Sequence, residues 1–230
     1  MRQSAEQRRA LSEGDSEEKG VGGAPTDGSR KPERPRSKRA LILDAAVDNF
    51  GRYGFEQTKW ATIADEVGIG QTALYHYFES KAHCLLTIMS TELERSLNRF
   101  REATEGAGDD ADALRAAVVS AYDITPREAL SARILLSHMD LLQTARQSER
   151  EEMERQRSRV LVRKIEDEWA TLIRRGMDSG AFVARDARQS GLAMLALIVS
   201  VWRWYRPGGE QSLQDISEFI SGACLRLVGP

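Results

Sequence analysis

Cysteine, aromatic residues and long apolar runs are all scarce in this chain of 230 residues. Two cysteines are too few for a disulfide scaffold or a cysteine-rich zinc domain. No stretch reaches the roughly 18 to 20 apolar residues of a membrane span, and no secretory signal is visible in the first residues. With 7% aromatic residues and 6 prolines, the composition also disfavours strand-rich sandwiches. We therefore expect a soluble, cytoplasmic and largely helical protein.

The first 36 residues differ in composition from the rest of the chain. Between Ser12 and Arg36 there is no Ile, Leu, Met or aromatic residue. Such a segment cannot offset an ordering entropy of about 1–2 kcal/mol per residue, so we predict a disordered tail. From Arg30 to Arg39 the chain holds six basic residues and one acidic residue. This basic end is either a solvated charge run or an arm that contacts nucleic-acid phosphates.

After Ser37 the apolar residues recur with the period of a helix, and glycines and capping residues divide the segment into short elements. The order of these elements, a short helix followed by a glycine turn and a second short helix, is that of a helix-turn-helix. The second helix of such a unit fits the DNA major groove. An ordinary helical hairpin has the same spacing. The predicted helix ends and caps are Gly51, Gly54, Thr58, Gly68, Gly70 and Ser80, the last of which begins a helix that reaches about Glu105.

The segment from Thr58 to Lys81 resembles the signature of the TetR family of transcriptional regulators. Its most specific part is Leu74-Tyr75-His76-Tyr77-Phe78-x-Ser80-Lys81, and the string Phe50-Gly51-Arg52-Tyr53-Gly54-Phe55 is similar too. The resemblance is strong from Ser37 to Leu93 and extends further only in helical pattern. It implies an all-α fold with a three-helix DNA-binding domain at residues 37–82, after the tail at 1–36. A helical bundle for ligand binding and dimerisation would follow at 83–230.

The resemblance also implies which side chains contact DNA. Gln71, Thr72 and Ala73 fall at the exposed start of the recognition helix, where Gln can pair with adenine and methyl groups can contact thymine. The full set of predicted DNA-binding residues is Lys38, Arg39, Tyr53, Thr58, Gln71, Thr72, Ala73, Tyr75, His76 and Lys81. Many family members have Ser, Lys and Gly where this chain has Gly70, Gln71 and Thr72, and Trp60 is unusually large. These departures lie at or near the reading positions, so the operator sequence is not predicted.

The remaining sequence is typical of a helical bundle with a pocket between its helices. We expect helices from Ala113 to Ile124, from Pro126 to about Thr144, and from Arg146 to Met177, the last ended by Asp178-Ser179-Gly180. Several side chains on these helices could line a ligand pocket or simply fill the core. The predicted ligand-binding residues are Tyr122, His138, Met139, Trp169, Met194 and Trp202.

Two apolar segments near the C-terminus predict burial and dimerisation. The stretch from Leu192 to Tyr205 is apolar on nearly every face, which predicts a helix buried on all sides. The last helix carries one apolar stripe, and in the family the last two helices pair with their copies in a homodimer. The predicted dimer-interface residues are Leu213, Ile216, Ile220 and Leu227. The alternative is that both helices only close the core of the protomer.

The string from Trp202 to Gly209 resembles a feature of family members that respond to acyl-CoA thioesters. This resemblance implies an apolar tunnel for the acyl chain, with Arg203 and Arg206 as phosphate partners. Plain packing of the tryptophans is the alternative, and another lipophilic effector would need no arginine.

Taken together, the sequence predicts a ligand-responsive repressor that leaves a pseudo-palindromic operator when an apolar effector binds. The expected partners are double-stranded operator DNA, the effector and a second copy, without a membrane, cofactor or metal. An activator of the same fold, or a helical ligand-binding or scaffold protein without DNA binding, remain alternatives. An enzyme is disfavoured, because the three histidines form no metal pattern and no nucleophile elbow, phosphate loop or dinucleotide motif is present.

Overall fold

The computed structural model describes residues 37–183, 186–206 and 209–229. Over these residues the chain is helical, and it contains no strand, which confirms the all-α fold that the sequence predicts. The predictions for the tail at residues 1–36 and for residues 207 and 208 lie outside the described part. In chain order the helices are α1 (Lys38–Tyr53), α2 (Trp60–Val67), α3 (Gln71–Tyr77), α4 (Lys81–Thr104), α5 (Asp110–Ser120), α6 (Pro126–Ser137), α7 (Glu149–Asp178), α8 (Ala187–Trp204) and α9 (Leu213–Val228), with a 3-10 turn at Met139–Leu142.

One apolar cluster joins α1, α2 and α3 to the first half of α4. Ile42, Ile63, Leu74 and Phe78 are fully enclosed in it. Between α2 and α3 the chain turns at Gly68, whose φ of 68° lies in the left-handed region that favours glycine. The sequence-predicted helix-turn-helix is therefore present, with α3 as its second helix.

The boundaries around α2 differ from the prediction at two places. Gly51 lies inside α1, and Gly54 ends that helix with a φ of 85°. Thr58 is not the N-cap of α2, because its hydroxyl donates back to the Gly54 carbonyl at 2.8 Å. Lys59 occupies the cap position without a side-chain hydrogen bond.

A second apolar cluster joins the second half of α4 to α5, α7, α8 and α9. Helix α7 packs along both α4 and α8, and α9 packs on α5. Helix α6 starts as predicted with Pro126 in its first turn, where Thr125 and Glu128 form a capping box. It ends at Ser137 rather than near Thr144, because the chain tightens into the 3-10 turn at Met139–Leu142.

The last two helices are only partly buried within the single chain. Helix α8 is not buried on all sides within the chain, since Leu197 and Trp204 are 38% and 49% exposed. On α9 the predicted interface residues Ile216 and Ile220 are instead buried in the chain's own core, and Leu213 and Leu227 pack against the same cluster. The exposed apolar side chain of α9 is Phe219, at 70%. None of the described helices has the length and apolar character that a membrane span requires.

Candidate DNA-binding surface and ligand cavity

The exposed face of α3 carries the residues predicted to read DNA. Leu74 anchors the helix in the first cluster, while Gln71, Thr72, Tyr75 and His76 are exposed. Ala73 is half-buried beside them. Gly70 supplies no side-chain cap, so the first turn of α3 depends on the packing of the helix. Polar groups with hydrogen-bond donors and acceptors therefore lie together on one side of a helix that fits a major groove.

Basic and aromatic side chains lie at the two ends of α1. Lys38 and Arg39 are exposed at its start, where Lys38 Nζ donates to the Val67 carbonyl at 3.4 Å. The Arg39 guanidinium lies 4.9 Å from the centre of the Phe78 ring. Tyr53, at the other end of α1, is exposed. These side chains are available for backbone phosphates, which basic and hydroxyl groups contact without reading sequence.

Thr58 and Lys81 have partners within the protein that the sequence did not predict. Thr58 is buried, and its hydroxyl donates to the Gly54 carbonyl. Lys81 Nζ donates to the carbonyls of Phe55, Glu56 and Thr58 at 2.6, 3.3 and 3.1 Å, and it lies 4.4 Å from the centre of the Phe55 ring. In the structure Lys81 therefore holds the turn between α1 and α2, so its ammonium group is not displayed as a free phosphate contact.

An apolar cavity of about 300 Å³ lies among α4, α5, α6, α7 and α8. This volume is at the lower end of the roughly 300–1,000 Å³ that small-molecule sites occupy. Leu192 and Val199 of α8 line the cavity and are themselves exposed, so the cavity reaches the surface beside that helix.

The structure brings together half of the predicted ligand-binding residues. Met139, Trp169 and Trp202 line the cavity. The other three do not, which corrects the prediction for their position. The Tyr122 hydroxyl donates to the Ile198 carbonyl at 3.0 Å, and Met194 is fully buried in the core. His138 Nδ1 lies 2.8 Å from the Ile134 carbonyl, and its ring packs against Phe55 of the DNA-binding part.

The polar part of the cavity wall, which no prediction included, contains Glu92 and Arg99 of α4 together with Ser96, Ser120 and Glu166. The side chains of Glu92 and Arg99 form an ion pair, with Arg99 Nη2 3.0 Å from Glu92 Oε1. Burial raises the pKa of Glu92 above its ordinary value, and the hydrogen bond from Arg99 opposes that rise. A sequence signal existed, because Glu92 falls on the apolar stripe of α4 that also holds Ile88 and Met89.

Helix α6 lies between the cavity and the DNA-binding part. Ile134 belongs to the first cluster, whereas Leu135 and Leu136 line the cavity. At the start of α6, Arg127 pairs with two carboxylates of α1, Asp44 at 3.2 Å and Asp48 at 2.7 Å.

The contact between α6 and α1 is close because Gly51 has no side chain. A Cβ atom added there would lie 3.0 Å from a methyl carbon of Leu130. Leu130 of α6 therefore packs directly on the backbone of α1 at Gly51.

Comparison with known proteins reveals similarity over most of the chain. Residues 107–228 match the family model for tetracyclin repressor-like C-terminal domains, and residues 42–88 match that for bacterial regulatory proteins of the tetR family. The transcriptional repressor KstR2 of Mycolicibacterium smegmatis is 23% identical over 81% of this chain and 88% of that protein. The transcriptional activator FasR of the same organism is 28% identical over 50% of this chain and 53% of that protein.

Among solved structures, AibR in complex with isovaleryl coenzyme A and operator DNA has the same fold. It superposes with a TM-score of 0.67 at 18% identity and covers 81% of this chain and 97% of that one. The two family models match the helix-turn-helix and the bundle from α5 to α9, and residues 89–106 lie between the two matches. The chain belongs to the TetR family and is a transcriptional regulator.

Proposed function

We propose that this regulator is a homodimeric repressor that binds a pseudo-palindromic operator through α3 and leaves it when an apolar effector enters the cavity. The observation that carries the proposal is the combination in one chain of an exposed polar face on α3 and an apolar cavity bordered by α6. Such a protein acts where operator DNA is found, in the cytoplasm.

The homodimer is supported by apolar side chains on the outer faces of α8 and α9. Leu197, Trp204 and Phe219 are exposed in the single chain, and exposed apolar patches of this kind mark interaction sites. A two-fold dimer would present two copies of α3 to the two halves of a symmetric operator. The interface therefore involves the face opposite to Ile216 and Ile220.

The effector is proposed to be an acyl-CoA thioester. The cavity walls are mostly aliphatic and aromatic, which suits an acyl chain. Arg203 is exposed directly after the cavity residue Trp202, in a position to meet a phosphate of the nucleotide. The relative AibR, which has the same fold, is solved with isovaleryl coenzyme A.

Release of DNA follows from the position of α6. One face of the helix lines the cavity, while Leu130 and Arg127 hold α1. A ligand that binds more tightly to a conformer with displaced α6 shifts the population towards that conformer. Because α1 would move with α6, the spacing of the two α3 helices would no longer match the operator, and affinity would fall.

The test begins with selection of an operator from random duplex DNA by the full-length protein, followed by fluorescence anisotropy titration. We expect a two-fold symmetric site, and we expect decanoyl-CoA to weaken binding to it by about 5- to 150-fold, as is typical of allosteric coupling. Free coenzyme A is the matched control and should leave affinity unchanged. A protein that selects no sequence would contradict the DNA-binding proposal, and operator affinity unaffected by acyl-CoA thioesters of several chain lengths would contradict the proposed effector.

A further inference from the structure

The ion pair on the cavity wall is more polar than an acyl chain requires. The Glu92 side chain is 3% exposed and that of Arg99 is 20% exposed. Besides Glu92, the Arg99 guanidinium meets Glu128 of α6, with Nη1 3.6 Å from Oε1. A buried ion pair in apolar surroundings is costly unless its remaining donors and acceptors are also satisfied.

Two atoms of this pair remain unsatisfied. Glu92 Oε2 and Arg99 Nε are buried, and neither has a hydrogen-bond partner among the residues that the structure describes. They lie on adjoining planar groups, because Oε1 of the same carboxylate bonds to Nη2 of the same guanidinium. Both residues line the cavity, so a ligand group that inserts beside the pair can supply the missing donor to Oε2 and the missing acceptor to Nε.

We infer that Glu92 and Arg99 together bind one uncharged polar group of an otherwise apolar ligand, a group that donates to Glu92 Oε2 and accepts from Arg99 Nε. A hydroxyl or a carboxamide does both. A carboxylate has no proton to donate, and its charge would face that of Glu92. A pure hydrocarbon would leave both atoms unsatisfied.

This inference rests on the proposed function of the cavity as the effector site, and it specifies the class of ligand. Simple alcohols and amides belong to that class, and an acyl-CoA thioester could meet the pair with an uncharged secondary amide of its pantetheine arm. Free fatty acids do not belong to it, although their chains suit the cavity equally well.

Ligands with the same alkyl chain and different head groups isolate the role of the pair. Because Trp169 and Trp202 line the cavity, intrinsic tryptophan fluorescence can report titrations with 1-decanol, decanamide and sodium decanoate. We expect the wild-type protein to bind decanol and decanamide at least about tenfold more tightly than decanoate, since decanoate leaves a buried acceptor unpaired beside a second charge. Equal or tighter binding of decanoate would overturn the inference.

The variant Glu92→Gln tests whether the preference comes from this carboxylate. Its amide keeps the shape of the side chain but can donate to a carboxylate, so the preference for decanol over decanoate should fall by at least about tenfold. The matched control is Glu94→Gln, which removes an exposed carboxylate of the same helix that pairs with Arg157. This control should keep the wild-type preference, and an equal preference in Glu92→Gln would overturn the inference.

A second variant keeps the test decisive if Glu92→Gln does not fold. Arg99→Lys keeps the positive charge but lacks Nε, so it should weaken decanol binding by about fivefold or more. Unchanged affinity would overturn the inference.

Decanoyl-CoA separates the two proposals. If decanoyl-CoA releases DNA but the decanol preference is absent, the proposed effector function stands and the role of the ion pair is refuted. If none of the four compounds binds, both proposals fail.

Discussion

Replacement of Lys81 by methionine distinguishes a structural role from a DNA contact. The ammonium group donates to three carbonyls in the turn that precedes α2, at 2.6, 3.1 and 3.3 Å. A methionine has a similar length and leaves all three acceptors without this donor. The turn positions α2 and thereby α3, so its loss should affect the stability of the helix-turn-helix.

The expected magnitude follows from the exposure of the site. A hydrogen bond to a charged group contributes about 1.5–3 kcal/mol when buried, but Lys81 is only partly buried, so water replaces much of the loss. We expect Lys81→Met to lower the free energy of unfolding by about 2 kcal/mol in total. For a chain of this length, about 2 kcal/mol corresponds to a fall in Tm of about 4–8 °C. The matched control is Lys59→Met, an exposed lysine of the same surface, with an expected change within about 0.5 kcal/mol.

The assay pairs thermal unfolding with the salt dependence of DNA binding. If Lys81 acts through the turn, the slope of log affinity against log salt should stay at the wild-type value at temperatures where the variant is folded. A lost phosphate contact would instead reduce that slope by about one unit. An unchanged Tm together with a reduced slope would refute the role that the structure assigns to Lys81.

The outer face of α9, the contact between α7 and Phe182, and the buried His83 give three further predictions. Phe219→Asp should leave the chain folded but monomeric in sedimentation experiments, because the side chain is 70% exposed in the protomer; a stable dimer would contradict the interface. Gly176→Ala should destabilise the fold by about 1–3 kcal/mol in urea unfolding, since the added Cβ would lie 2.1 Å from the Phe182 ring. If the higher helix propensity of alanine were the only effect, the variant would be more stable than the wild type, which would contradict this contact. Burial lowers the pKa of His83 in the folded protein below the ordinary value of 6.5, which the unfolded chain keeps. Between these two pKa values the unfolded chain binds more protons than the folded one, so stability should fall as the pH drops below about 6.5. His83→Gln should flatten that dependence, and an identical pH profile would contradict the assignment.

Local sequence signals predicted the helix-turn-helix well because caps and glycines act locally. Gly68 takes the left-handed conformation that ends α2, and the Ser80 hydroxyl accepts from the His83 amide at 2.8 Å at the start of α4. Thr58 was assigned wrongly because its hydroxyl has two local options, and it donates back to Gly54 instead of capping α2.

In the C-terminal part, local patterns do not encode which neighbour each apolar face packs against. The stretch from Leu192 to Tyr205 is apolar on nearly every face, yet Leu197 is exposed in the protomer, because the sequence does not say whether an apolar face meets its own chain or a second copy. The stripe on α9 has the same ambiguity, and Ile220 turned out to face the protomer core. Helix α6 stops at Ser137 although no glycine or proline follows it closely.

The cavity was predictable in kind but only partly in composition. The family resemblance implied a pocket between helices, and the large side chains Trp169 and Trp202 do line it. Glu92 and Arg99 were missed because charged helix residues usually face solvent. The place of Glu92 on the apolar stripe of α4 was the available signal, whereas its ion pair with Arg99 is evident only in the folded structure.

The claim that α3 reads the operator is tested most directly by the base preference of Gln71→Ala. Its affinity is measured by anisotropy for the selected operator and for every single base-pair substitution in one half-site, beside the wild-type protein. If Gln71 contacts a base edge, the variant should lose discrimination at one position per half-site by about 1–3 kcal/mol and keep the wild-type preferences elsewhere. A uniform loss of affinity at all positions, or an unchanged preference at every position, would contradict reading of the operator by this residue of α3.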